Sequence, residues 1–256
     1  MLFLRFWRSA LAWTAAMVAL SLANSTFANF TGPFYHGPEI FLAIFGETLG
    51  HAATYLPFAA FAAGIRVASG LAAPRARLHL VLALASVGAV VFLLDAYLDP
   101  WLRYAGLHAF GRAAGADVPW GRPMDRTFQH EVYTDLVAED RGGAPPFNGL
   151  GLELRYHMQV TAGVLAVLMA LLGVWAGRWT QGAGDRVRST IQRWLAGLGL
   201  VAGIYAMYRL GWHLTVRSGV DPVLTASAIL VVPVVVLLAA AWTQWVAGGS
   251  AAPGQR

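Results

Sequence analysis

Long apolar runs alternate with short polar links along most of this chain. A transmembrane helix needs about 20 consecutive apolar residues, because it must cross a hydrocarbon core of roughly 30 Å at about 1.5 Å per residue. Six runs meet this length. They cover, in round figures, residues 1–28, 40–64, 78–98, 157–176, 194–212 and 223–246. The pattern predicts an all-α integral membrane protein with six transmembrane helices.

One long polar stretch, residues 99–156, separates the third run from the fourth. It contains eight of the thirteen acidic residues, six arginines and repeated glycine and proline. A segment of this composition needs water or lipid headgroups around it. We therefore predict a first transmembrane half (1–98), an extracytoplasmic insert (99–156), a second transmembrane half (157–247) and a cytoplasmic tail (248–256).

The composition excludes several classes of protein. Hydrophobic residues make up 57 % of the chain and charged residues 12 %, whereas about 25 % charged is usual in a soluble domain. All 18 basic residues are arginine, and no basic run is interleaved with stacking aromatics, so the sequence gives no sign of a nucleic-acid surface. The absence of cysteine excludes disulfides and thiolate metal sites, and we predict no metal site.

The arginines predict the orientation of the chain in the membrane. Ten of the 18 lie at the amino terminus, in the links at 65–78 and 177–193, and in the tail, whereas the two short links on the other side hold one, Arg217. The positive-inside rule therefore predicts cytoplasmic termini and, in a Gram-negative cell, the inner membrane. The first run is open to two interpretations, a cleaved signal peptide or a retained helix, and its length favours retention.

Three ionisable residues lie inside the predicted spans of the first half. Glu47 and His51 are four residues apart and so share one face of the predicted second span. They could form a metal-binding or proton-relay pair, or a local hydrogen bond that neutralises both side chains. Asp95 and Arg209 are predicted to lie at a similar depth near the outer surface. They either pair across the two halves, or Arg209 extends to the interface by itself.

Short sequence motifs in the predicted spans resemble those of a known family of membrane proteins. The second span contains YLPFAAF (55–61), the third ends in LDAYLDP (94–100) and the fourth opens with ELRYH (153–157). A glycine and tyrosine segment at 203–208 and the prolines Pro222 and Pro233 mark the last two spans. With three spans on each side of an insert, these stretches resemble the LptF/LptG-type permeases of lipopolysaccharide export.

The resemblance implies a permease subunit that takes part in lipid or lipopolysaccharide export across the envelope. Its implied partners are a second permease-like subunit and a separate ABC ATPase, with no cofactor. It also implies substrate-binding residues near the outer leaflet that would reach the phosphates of an acidic glycolipid through charge-assisted hydrogen bonds. These residues are Arg155, His157, Arg209 and His213.

Two other functions remain open from the residues. The insert is shorter than the family's periplasmic β-jellyroll, and the link after the second span lacks the family's acidic residue, which favours a non-transporting accessory or assembly protein. An intramembrane enzyme would have to use Glu47, His51 and Asp95. The chain has no HExxH, GxSxG or phosphate-binding GxxxxGK[ST] motif, so we predict no catalytic residue and place any ATPase on another chain.

Overall fold

A computed structural model of the chain describes residues 2–31, 40–50, 52–72, 75–98, 102, 147–179 and 186–249. Every regular element in these ranges is helical. The α-helices are α1 (Leu2–Thr31), α2 (Ile40–Gly50), α3 (Ala52–Val67), α4 (Ala76–Leu93), α5 (Phe147–Trp179), α6 (Arg186–Ser218) and α7 (Pro222–Gly249). A 3-10 turn, Ala68–Ala72, continues α3, and a π-helical turn, Leu94–Leu98, ends α4.

Six helical stretches within the described ranges are long and apolar enough to cross a membrane. They are Leu2–Phe27, Ala52–Ala72, Ala76–Leu93, Thr161–Arg178, Thr190–Thr215 and Pro222–Trp242. The predicted all-α class is therefore confirmed for the described residues, and the predicted number of membrane-length apolar helices, six, is confirmed as well. Most of the predicted insert (103–146) and the last residues of the predicted tail (250–256) lie outside the described residues.

Several helix bounds differ from the sequence prediction. The predicted second span, 40–64, divides into α2 and α3, and its membrane-length stretch begins at Ala52, so Glu47 of α2 lies outside that stretch. Proline explains two other differences. The second span continues as a 3-10 turn to Ala72, eight residues beyond the predicted end, because nothing interrupts it before Pro74. Helix α5 begins at Phe147, ten residues before the predicted start of the fourth span. It directly follows Pro145 and Pro146 in the sequence, so the last ten residues assigned to the insert are helical.

Helix α5 is the centre of the bundle. It packs most extensively on α3 and also contacts α4, α6 and α7. One apolar cluster joins α1, α3, α4 and α5, and a second joins α3, α5, α6 and α7. The strongest helix contact therefore connects the predicted first and second halves instead of lying within either.

Glycine allows α3 and α5 to approach until their backbones touch. A Cβ atom added at Gly173 would overlap the Phe61 carbonyl oxygen, and one at Gly64 would overlap the Ala170 carbonyl oxygen and lie 2.8 Å from the Val174 nitrogen. In a bilayer the lipid tails are as apolar as the side chains, so helices associate through close packing of small residues. We call Gly64 and Gly173 the glycine contact.

A tight turn joins α6 to α7. Gly219 adopts φ +67°, in the left-handed region that favours glycine, and its N–H donates to the Thr215 carbonyl oxygen at 3.1 Å. The Asp221 carboxylate caps the next helix by accepting from the Val223 N–H at 2.7 Å. Pro222 occupies the first helical position, where a missing N–H costs nothing. The two helices therefore form an antiparallel hairpin.

We expect a measurable coupling between two buried hydroxyls of this hairpin. The Thr215 Oγ1 and Thr225 Oγ1 atoms lie 2.8 Å apart, and Thr225 Oγ1 also donates to the Asp221 carbonyl oxygen at 3.2 Å. A double-mutant cycle with Thr215→Val and Thr225→Val, followed by unfolding in detergent, should give a coupling of about 0.6–1.7 kcal/mol, as for other hydrogen bonds between membrane helices. Strictly additive single effects would contradict the bond.

Candidate functional site

Two arginines and a histidine follow one another along the second half of α6 at four-residue spacing. Arg209, His213 and Arg217 are all exposed, and α6 contains no acidic residue that would neutralise them. Residues four apart on a helix lie on the same face. We call these three residues the cationic stripe.

The stripe lies opposite the face by which α6 packs. The buried residues of this part of the helix are Ile204, Gly211 and Thr215, and Thr215 bonds to α7. At about 100° per residue these three fall within roughly 20° of one direction, whereas His213 at the centre of the stripe falls about 180° away. The stripe therefore points away from the rest of the bundle.

The stripe crosses the end of an apolar span. The candidate membrane span of α6 ends at Thr215, so Arg209 lies six residues inside it and Arg217 two residues beyond it. Six residues correspond to about 9 Å along a helix. An arginine at that depth brings its guanidinium to the headgroup region by extending its side chain along the helix.

His157 lies at the same level as the stripe but on α5. Gly173 of α5 and Gly197 of α6 both pack against Phe61, which fixes the relative height of the two antiparallel helices. His157 is 16 residues before Gly173 and His213 is 16 residues after Gly197, about 24 Å in each helix. His157 is half-buried and has an interaction of its own, and the stripe faces away from α5. Arg155 is helical in α5, and its side chain is outside the described part.

The structure gives less support to the predicted intramembrane polar residues. Glu47 belongs to α2, but its side chain is not described, and His51 lies outside the described residues. Asp95 is half-buried in the π-helical turn that ends α4, and it has an interaction of its own. Within the described ranges α6 packs on α5 and α7 and forms no extended interface with α4. Nothing in this packing brings Asp95 and Arg209 together.

Sequence reasoning missed Arg217 as a site residue. The sequence predicts that the fifth span ends at 212, which places Arg217 in a link where it indicates orientation alone, whereas α6 continues to Ser218. The four-residue spacing of Arg209, His213 and Arg217 was a signal that could have joined the three. Within the described part of the chain, no three histidine, aspartate or glutamate side chains come close enough to hold a metal ion.

Comparison of the chain with protein-family models, with curated proteins and with solved structures gives no match.

Proposed function

We propose that this protein is a permease-type membrane subunit that handles a phosphate-bearing amphipathic lipid. The observation that carries the proposal is the cationic stripe, which is exposed on the outward face of a membrane span and has no acid on its own helix. The resemblance of the chain to LptF/LptG-type permeases is consistent with a lipid or lipopolysaccharide substrate. We infer no intrinsic catalytic activity and no cofactor.

The chemistry of the stripe fits a lipid phosphate. Arginine pairs with phosphate through two parallel hydrogen bonds, and charged pairs of this kind are stronger than neutral ones. Large apolar side chains are exposed beside the stripe on the same helix, among them Leu198, Tyr205 and Leu210. They would contact acyl chains while Arg209 and Arg217 hold the headgroup. Because α3 and α5 touch along the glycine contact, we place the lipid on the outside of α6 rather than between the two halves.

The proposed partners follow from this arrangement. A second permease-like subunit would cover the outward face of α6 and enclose the lipid. Any ATP hydrolysis would occur on a separate ABC ATPase, because the chain has no phosphate-binding loop. We propose the bacterial inner membrane, with both termini in the cytoplasm, as the location.

Charge removal from the stripe tests the proposal. We expect the variant Arg209→Gln/His213→Asn/Arg217→Gln to bind phosphatidic acid about 25-fold more weakly than the wild type in nanodiscs, because each arginine near an anionic headgroup contributes about a factor of five. Fluorescence titration with labelled phosphatidic acid measures this affinity, and labelled diacylglycerol reports binding that does not involve phosphate.

A matched variant controls for net charge. Arg8→Gln/Arg178→Gln removes two exposed arginines that lie outside the stripe, on α1 and near the end of α5. It should bind phosphatidic acid as the wild type does. If the stripe variant also retains wild-type affinity, or if both variants weaken binding equally, the stripe is not a lipid-phosphate site.

One observation favours a second function, a non-transporting accessory or assembly protein. The described part of the connection between α3 and α4, residues 68–72 and Arg75, contains no acidic residue for an ATPase to contact. Affinity purification in mild detergent separates the two functions. Co-elution of a nucleotide-binding subunit is the result expected of a permease, and a stable partner without ATPase activity is the result expected of an accessory protein.

A further inference from the structure

A cavity of about 400 Å³ lies where the ends of α1, α3 and α4 meet, at the opposite end of the molecule from the cationic stripe. Its polar wall consists of Arg5 of α1, Arg66 and Ser69 at the end of the second span, and Arg75 and His79 at the start of α4. None of the described residues that line it is acidic. We call Arg5, Arg66 and Arg75 the cavity arginines.

Nothing on the surrounding helices neutralises the cavity arginines. Residues 1–38 and 52–94, which include α1, α3, the 3-10 turn and α4, contain no aspartate or glutamate. Within the described part of the chain the three guanidinium groups make no salt bridge. Three like charges around one cavity repel each other, and an anion bound between them would replace that repulsion with attraction.

The start of α4, where Arg75, Ala76 and His79 line the cavity, has further hydrogen-bond donors. Arg75 precedes the helix and provides no side-chain cap, and the first backbone bond of the helix runs from the His79 N–H to the Arg75 carbonyl oxygen at 3.3 Å. The N–H groups of the first helical turn are therefore not used within the helix. Backbone N–H groups in this position favour a phosphate oxygen.

We propose that this cavity binds the phosphate of an anionic phospholipid headgroup. The surroundings select a lipid over a soluble phosphate, because the cavity lies at the ends of three candidate membrane spans, Leu2–Phe27, Ala52–Ala72 and Ala76–Leu93. Leu4 of α1 and Leu78 and Val81 of α4 are 57 %, 61 % and 60 % exposed on the outward faces of these spans. These outward faces offer an apolar surface for acyl chains at the end of the bundle where the cavity arginines would hold the headgroup. Basic pockets between membrane helices bind lipid headgroups in this way. The site uses none of the residues of the stripe and goes beyond the function proposed above.

Two triple variants of the full chain test the site. Arg5→Gln/Arg66→Gln/Arg75→Gln removes the cavity arginines. Arg8→Gln/Arg77→Gln/Arg178→Gln removes the same number of charges from exposed positions that do not line the cavity. In nanodiscs titrated with labelled phosphatidylglycerol, we expect the cavity variant to bind about a hundredfold more weakly than the wild type and the control to change by less than about fivefold.

Each other outcome overturns the proposal. An equal loss in both variants would show attraction to the general positive charge of this surface. Free phosphate would be the ligand if millimolar inorganic phosphate displaced labelled phosphatidylglycerol and was also found to bind the delipidated protein. Unchanged lipid affinity together with loss of a co-purifying protein from the cavity variant would make the surface a protein interface. If the triple variant does not fold, the single variants Arg5→Gln and Arg75→Gln, each expected to bind about fivefold more weakly, replace it.

Discussion

Substitution of Gly173 by alanine should lower the free energy of unfolding by about 3 kcal/mol, the upper end of the usual cost of overpacking. The added Cβ would overlap the Phe61 carbonyl oxygen and lie 2.8 Å from the Phe61 carbonyl carbon. These atoms belong to the backbone, so no rotamer change can relieve the overlap and α3 must move away from α5. Unfolding by SDS titration in detergent micelles, followed by tryptophan fluorescence, measures the change.

The same substitution elsewhere in the bundle provides the control. Gly203 lies in the membrane span of α6, and a Cβ added there would meet no atom within 4 Å. Gly203→Ala should leave stability unchanged or raise it by up to about 1 kcal/mol, because alanine is the better helix former. Equal effects of Gly173→Ala and Gly203→Ala would mean that α3 and α5 do not touch through glycine.

Substitution of Phe6 by alanine should cost about 3–5 kcal/mol of stability, the range for removing a large aromatic side chain from a packed core. Phe6 is fully buried in the cluster that α1 forms with α3, α4 and α5. Its loss would leave a cavity between α1 and α3, the second most extensive helix contact in the described chain. The same SDS titration reports the effect.

Leu20 of the same helix serves as the comparison because its side chain is 73 % exposed. Leu20→Ala should change stability by less than about 0.5 kcal/mol. A loss of similar size in both variants would contradict the packing of α1 through Phe6.

The six apolar spans could be predicted from the sequence, because the thickness of the hydrocarbon core sets the length that an apolar run must have to cross it. The start of the sixth span was predicted at 223, and α7 begins at Pro222, where the Asp221-Pro222 pair is a strong start signal. The end of the second span was predicted too early because Arg66 looked like the start of a link. A basic residue near the end of a span does not stop a helix, and Pro74 is the first residue here that does.

The neighbours of each helix could not be predicted. In a soluble protein an apolar stripe marks the buried face, but lipid tails are as apolar as a protein core, so the outward and inward faces of a membrane helix have similar composition. Thus the contact between Gly173 and Phe61 was invisible in the sequence. The position of Arg209 along its span predicts a depth similar to that of Asp95. The direction in which Arg209 points, away from α5, could be read only from the packing of α6.

The turn between α6 and α7 limits how the cationic stripe can move. Only three residues, Gly219 to Asp221, connect the two helices, and the hydroxyls of Thr215 in α6 and Thr225 in α7 are hydrogen-bonded to each other. A hinge needs residues that can absorb a large change in backbone angles, and this junction is already held at both ends by hydrogen bonds. A movement of α6 would therefore carry α7 with it and would have to break the packing of α7 on α5.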